Sequence, residues 1–69
     1  MNSFLVTYKL DNSTESYDDI SSRLKNYPNW AKLFARTWII RTSHSSKRVR
    51  DELADAIEGK GQIVVINIT

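Results

Sequence analysis

The chain has only 69 residues and no cysteine, so its fold must be held by one small hydrophobic core without disulfides or cysteine-bound metals. A core of this size leaves only about 3 to 5 kcal/mol of net stability, and association with a second copy would add to it. Hydrophobic residues make up 41% of the chain and charged residues 26%, which is typical of a globular protein. The sequence therefore predicts a single domain over residues 1–69, with homodimerisation as a natural source of further stability.

The location of the protein is predicted from what its sequence lacks. The N-terminus has no basic lead followed by a long apolar run, and no segment approaches the roughly 18 apolar residues of a membrane span. A chain without cysteine has no need of an oxidising compartment. These features predict a cytoplasmic protein that has no membrane partner.

The first half of the chain is predicted to form a strand followed by a helix. Alternating apolar residues over Ser3–Leu10 indicate a strand, because successive side chains of a strand point to opposite faces. A capping oxygen at Ser16 and apolar residues at helical spacing then predict a short helix that begins near Tyr17 and stops before Pro28. The apolar stripe of this helix consists of Tyr17, Ile20, Leu24 and Tyr27.

The second half is predicted to add two strands, a helix and a strand. Residues 30–42 are rich in aromatic and β-branched side chains, and we expect two antiparallel strands with a turn near Ala35 and Arg36, although one bent strand is the alternative. A serine-rich loop over residues 42–46 ends in a capping serine, and helical spacing of apolar residues continues to Gly59. The apolar run at 63–66 is typical of a strand that is buried on both faces.

This order predicts a ferredoxin-like α+β fold, βαββαβ, with one antiparallel four-stranded sheet and two helices on one face. Two helices leave the other sheet face open. Because neighbouring residues of a strand point to opposite sides, the large apolar side chains of residues 30–40 cannot all lie beneath the helices. We therefore expect a dimer interface formed by Trp30, Phe34, Trp38 and Ile40.

Charge is distributed unevenly along the chain. Residues 20–50 contain eight lysines and arginines and no acidic residue, whereas the remaining residues carry a net charge of −6. In an unbroken strand Lys32, Phe34 and Arg36 would share one side, which would place an aromatic ring between two phosphate-binding cations. A solvated basic surface explains the same pattern equally well. The predicted nucleic-acid-binding residues are Lys9, Lys32, Arg36, Arg41, Lys47 and Arg48.

Three segments carry a resemblance to a known family: Phe4-Leu5-Val6-Thr7-Tyr8 before a loop, Thr37–Thr42 before a serine-capped helix, and a terminal Val-Val-Ile strand. In these features the chain resembles the Cas-two-like superfamily, which includes CRISPR-associated proteins, and within it the small SinR-family proteins related to VapD toxins. The resemblance implies a homodimer built from packed open sheet faces and a link to RNA or DNA. In some members it also implies metal-dependent cleavage of phosphodiesters.

The cleaving members of that superfamily use an aspartate at the end of strand one, in a Tyr-Asp-Leu pattern, to hold a divalent metal. Here the pattern reads Tyr8-Lys9-Leu10. A lysine ammonium repels a metal cation and attracts phosphate. The first hypothesis is therefore a Cas-two-like homodimer that contacts nucleic acid and holds no cofactor or catalytic residue.

Two other hypotheses belong to different functional classes. The first is a VapD-type endoribonuclease in which Asp11 and its symmetry mate hold Mg²⁺ or Mn²⁺, although an Asp-Asn-Ser run after a strand is more typical of a turn. The second is a protein-interaction module that uses an exposed strand edge or a surface formed by Trp30 and Trp38. His44, the only histidine, is interpreted as part of a surface loop rather than of a catalytic triad.

Overall fold

The computed structural model describes residues 1–10 and 17–69 and confirms the ferredoxin-like α+β fold. None of the helices in these two ranges is both long and apolar enough to cross a membrane. The elements are β1 (Asn2–Leu10), α1 (Asp18–Lys25), β2 (Asn29–Phe34), β3 (Thr37–Thr42), α2 (Ser46–Ala56) and β4 (Gly61–Asn67).

The four strands form one sheet in the order β2-β3-β1-β4, and every neighbouring pair is antiparallel. For example, Val6 of β1 pairs with Trp38 of β3 on one side and with Val65 of β4 on the other. Residues that face each other across strands point to the same side of the sheet. The register therefore decides which side chains of different strands form a common surface.

Both helices pack on the same face of the sheet. Phe4 and Val6 of β1 belong to one buried cluster with Leu24 of α1 and Leu53 of α2. Along β1, the side chains of this cluster alternate with half-buried side chains on the opposite face, as the predicted strand period requires. We call the face without helices the open face.

The helix boundaries follow local signals. A serine caps α2 as predicted, but it is Ser45 and not the last serine of the loop: its hydroxyl accepts a hydrogen bond from the backbone N–H of Arg48 at 3.2 Å. Helix α1 ends before Pro28 as predicted, but it spans only Asp18–Lys25, so Tyr17 and Tyr27 of the predicted stripe lie just outside it. The predicted cap at Ser16 lies outside the described residues.

Residues 29–42 form two antiparallel strands rather than one bent strand, with Ala35 and Arg36 between them as predicted. The register of this hairpin shifts between Lys32 and Phe34. Lys32 pairs with Trp38 and Phe34 pairs with Thr37, so the two side chains point to opposite faces of the sheet. The prediction that Lys32, Phe34 and Arg36 share one side is therefore wrong, because it assumed an unbroken strand period.

Strand β4 lies at one edge of the sheet, opposite β2. Ile63 and Val65 pack against the core, whereas Val64 is 48% exposed and Ile66 is 47% exposed on the open face. The prediction that residues 63–66 are buried on both faces is thus wrong for the single chain. A continuous apolar run predicts a strand, but it does not show whether both of its faces are covered.

Candidate functional site

Two of the four residues predicted for a dimer interface belong to the core. Trp38 and Ile40 have no exposed surface, because the alternation of β3 points both of them towards the helices. The Trp38 indole N–H donates a hydrogen bond of 3.1 Å to the Tyr8 hydroxyl within this core. The prediction that Trp38 and Ile40 form an interface is therefore wrong.

The other two predicted interface residues lie on different faces. Trp30 pairs with Ile40 and therefore points to the helix side, where it is 45% exposed at the edge of the sheet. Phe34 pairs with Thr37 on the open face and is 73% exposed. Among the four predicted residues, only Phe34 lies on the open face.

The open face carries an apolar row that the sequence analysis did not identify. The register aligns one aliphatic side chain from each strand across the full width of the sheet. This aliphatic row consists of Ala31, Ile39, Leu5 and Ile66. A second row runs beside it, and within that row the hydroxyls of Thr7 and Thr37 lie 3.3 Å apart in a hydrogen bond. The alternation of β1 contained a signal for Leu5, because Leu5 is an apolar residue on the face opposite Phe4 and Val6.

Three cations lie over aromatic rings along β2, on the helix side of the sheet. The Lys25 ammonium is 5.8 Å from the centre of the Trp30 ring, and the Lys32 ammonium is 5.7 Å from the centre of the Trp38 ring. The Arg36 guanidinium is 4.8 Å from the centre of the Tyr17 ring, beside the hairpin turn. We call these three cations together with Trp30 the cation–ring track.

The cations of the track are exposed and available to a ligand. Lys25, Lys32 and Arg36 are all exposed, and none of them forms an ion pair with another residue in the described ranges. Every residue of β2 is exposed, because this strand lies at the edge of the sheet. Their contacts with rings leave the positive charges unneutralised.

The structure brings only part of the predicted basic set together. Lys32 and Arg36 belong to the track, and Lys25, which was absent from that set, joins them. Lys9 and Arg41 lie on the open face towards opposite ends of the sheet, since Arg41 pairs with Ser3 and Lys9 with Gln62.

The remaining two predicted cations lie on the first turn of α2. The Lys47 ammonium is 3.2 Å from a carboxylate oxygen of Asp51. Arg48 is exposed on the same helix. The predicted basic residues thus lie on three separate surfaces of the protein.

A network of polar side chains surrounds Glu52 of α2. The Tyr27 hydroxyl donates to Glu52 Oε1 at 3.1 Å, and His44 Nδ1 lies 3.1 Å from the same oxygen. Arg23 donates to the backbone carbonyl of Glu52 at 3.2 Å. These side chains line a cleft of about 310 Å³. His44 lies in a loop as predicted, but it is held by Glu52 instead of being free in solvent.

Burial raises the pKa of the Tyr27 hydroxyl well above its usual range, and the neighbouring Glu52 carboxylate raises it further. Ionisation of Tyr27 would place a second negative charge beside Glu52 in a poorly solvated position. The phenol therefore remains a hydrogen-bond donor at neutral pH. Its role in the network is to fasten the segment after α1 to α2.

The metal-dependent alternative has no support in the described part of the chain. Within residues 1–10 and 17–69, no three His, Asp or Glu side chains are grouped so that they could hold a metal ion. Asp11, the proposed ligand, lies outside these residues. The metal-dependent alternative therefore stays a prediction.

Comparisons of this chain with protein-family models, with curated proteins and with solved structures find no match. The resemblance to Cas-two-like proteins accordingly stays a prediction from the sequence.

Proposed function

We propose that the protein binds the phosphate backbone of RNA or DNA along β2, as a cytoplasmic homodimer and without cleaving it. The observation that carries this proposal is the cation–ring track, in which three exposed cations follow one edge strand without an ion pair to any described residue. Nucleic-acid affinity comes largely from cations that neutralise phosphates and release counterions. An exposed tryptophan within the same row adds an apolar contact surface for the nucleic acid.

The number of cations in the track predicts the salt dependence of binding. Six neutralised phosphates, as suggested by the full predicted basic set, would weaken binding to duplex DNA about a thousandfold between 50 and 200 mM salt. Three phosphates on a single strand would weaken it only about 20-fold over the same range. The structure supports the smaller value, because Lys25, Lys32 and Arg36 are the cations that share one surface.

A charge-matched pair of variants tests the proposal. Fluorescence anisotropy with labelled RNA and DNA, at about 50 and 200 mM salt, would measure the affinity and its salt slope. We expect the double variant Lys32→Ala/Arg36→Ala to bind at least tenfold more weakly than the wild type at low salt, with a shallower salt slope.

The control is Lys47→Ala/Arg48→Ala, which removes the same charge from α2. We expect this variant to retain wild-type affinity within about threefold, since surface charge away from the track contributes only through long-range, screened attraction. Equal losses in both double variants would contradict a site on β2. Wild-type protein that binds no nucleic acid at low salt would overturn the proposed function itself.

The homodimer is supported by the open face. The aliphatic row crosses all four strands, and two copies related by a twofold axis through its centre would bury it on both sides. Lys9 and Arg41 lie roughly 20 Å apart along the strands, so that both cations would lie at the periphery of such an interface. The same assembly would leave the cation–ring track uncovered, because the track lies on the helix side.

A further inference from the structure

We infer that the nucleic acid bound along β2 is single-stranded and that one of its bases stacks on Trp30. This inference rests on the proposed function and specifies its ligand. It follows from the exposure of Trp30, the linear order of the neighbouring cations and the absence of aromatic side chains from the centre of the open face.

The Trp30 ring is supported from below and accessible from outside. Its centre is 5.4 Å from the centre of the Trp38 ring, with an angle of 51° between the two planes. Since Trp38 is completely buried, it provides a fixed surface against which the Trp30 ring packs. The Lys25 ammonium over Trp30 belongs to a flexible, exposed side chain. When a base replaces this ammonium over the ring, the ammonium becomes free to pair with the adjacent phosphate.

The cations of the track follow one line. Trp30 and Lys32 point to the same side of β2 and are separated by roughly 7 Å along the strand. Arg36 follows at the hairpin turn, and its backbone carbonyl accepts a hydrogen bond from Tyr8 N–H at 3.2 Å, which anchors this end of the row to β1. A linear row of cations with a ring at one end fits an extended strand whose bases are unpaired. A duplex hides its base faces in the stack, and so it could use only the cations.

The central strands of the open face offer no equivalent platform, and the exposed Phe34 ring of that face lies on β2 and points away from Trp30 and Lys32. Single-stranded RNA can bind a four-stranded sheet through aromatic side chains on its exposed surface. In this protein the corresponding positions on the central strands are Leu5 and Thr7 of β1 and Ile39 of β3. These side chains can pack against another apolar surface, but they provide no π-face for a base. Stacking on a central strand is therefore excluded, and of the three rings beneath the cations Trp30 is the exposed one.

The test compares single and double strands with variants of one ring. The probes are a fluorescein-labelled oligothymidylate of about 12 nucleotides and a duplex of the same length. We expect the wild type to bind the single strand about tenfold more tightly than the duplex. Trp30→Leu should weaken single-strand binding about tenfold, within the range measured for loss of one stacked base, while the salt slope stays unchanged. Trp30→Phe keeps an aromatic face and should recover most of the affinity.

Tryptophan fluorescence provides a second readout. Quenching by unlabelled oligothymidylate is expected in the wild type and should be lost in Trp30→Phe, which leaves the buried Trp38 as the only tryptophan. Equal affinity for duplex and single strand, together with an unaltered Trp30→Leu variant, would overturn this inference. If Lys32→Ala/Arg36→Ala still lost binding in that case, the proposed function would stand without the single-strand inference. A wild type that binds neither probe would overturn both the inference and the proposed function.

Discussion

At the scale of single residues, Glu52 connects three parts of the chain. One carboxylate oxygen interacts with both Tyr27 and His44, which lie after α1 and before α2 respectively. Arg23 adds a hydrogen bond to the Glu52 carbonyl and an ion pair of 3.3 Å with Asp55. Because the Arg23–Asp55 pair is largely exposed, we expect it to contribute little on its own. The partly buried contacts to Glu52 tie the segment after α1 and the loop before α2 to helix α2.

The raised pKa of Tyr27 predicts how stability depends on pH. Its folded-state pKa lies above the unfolded value of about 10, so the neutral phenol's contribution is complete below pH 10 and is lost as the pH rises further. Tyr27→Phe removes this contribution and one hydrogen bond, which should lower the free energy of unfolding by about 1 kcal/mol at pH 7. Urea denaturation at pH 7, 9 and above 10 would measure both effects. An equally steep loss of stability above pH 10 in the variant would show that Tyr27 is not responsible.

At the scale of elements, the hairpin between β2 and β3 decides where the functional residues point. The register shift after Lys32 places Phe34 on the open face and leaves Trp30 and Lys32 on the helix side. As a result, the aromatic and basic residues of one short segment serve two surfaces. Phe34 joins the apolar face proposed for dimerisation, and the others form the track.

The start of α2 depends on one hydroxyl. We expect Ser45→Ala to lower the free energy of unfolding by about 1 kcal/mol, because the Arg48 N–H would lose its partner at the helix N-terminus. Ser46→Ala is the matched control: Ser46 is exposed within the first turn and makes no capping bond, so its replacement should change stability by less than about 0.5 kcal/mol. Chemical denaturation of the two variants compares them directly. Similar losses at both positions would contradict the assignment of the cap to Ser45.

At the scale of the whole molecule, the sheet separates two surfaces of different chemistry. The helix side is occupied by the core and bordered by the cation–ring track, whereas the open face carries the aliphatic row. An apolar surface of this kind on a small chain is a candidate interface. The two surfaces can act together, because covering one does not cover the other.

The dimer is tested by a charge on the open face. Ile66→Lys should raise the dimer dissociation constant at least about 100-fold, since each copy would lose the burial of one large side chain in a twofold interface. Ser22→Lys adds the same charge to the exposed surface of α1 and should leave the dimer intact. Sedimentation equilibrium at micromolar concentration, with circular dichroism to verify folding, would measure this. A wild-type monomer at these concentrations would refute the homodimer.

The sequence by itself determined the two helices, the outer strands and a serine-capped start of α2, and it favoured a hairpin turn near Ala35 and Arg36 over one bent strand. These features arise from signals within a few residues, namely side-chain periodicity, a proline and a serine, and such signals need no distant partner. It also indicated that the middle of the chain is strongly basic. It did not determine which of those cations are neighbours in space.

Only the tertiary structure decided which face each strand residue occupies. Trp30 and Trp38 look alike in the sequence, yet one is half-exposed and the other is completely buried. The difference depends on the pairing of β2 with β3 and on the place of β2 at the sheet edge, and neither is encoded in a local period. For the same reason the aliphatic row and the cation–ring track emerged only when residues distant along the chain were aligned by the register of the sheet.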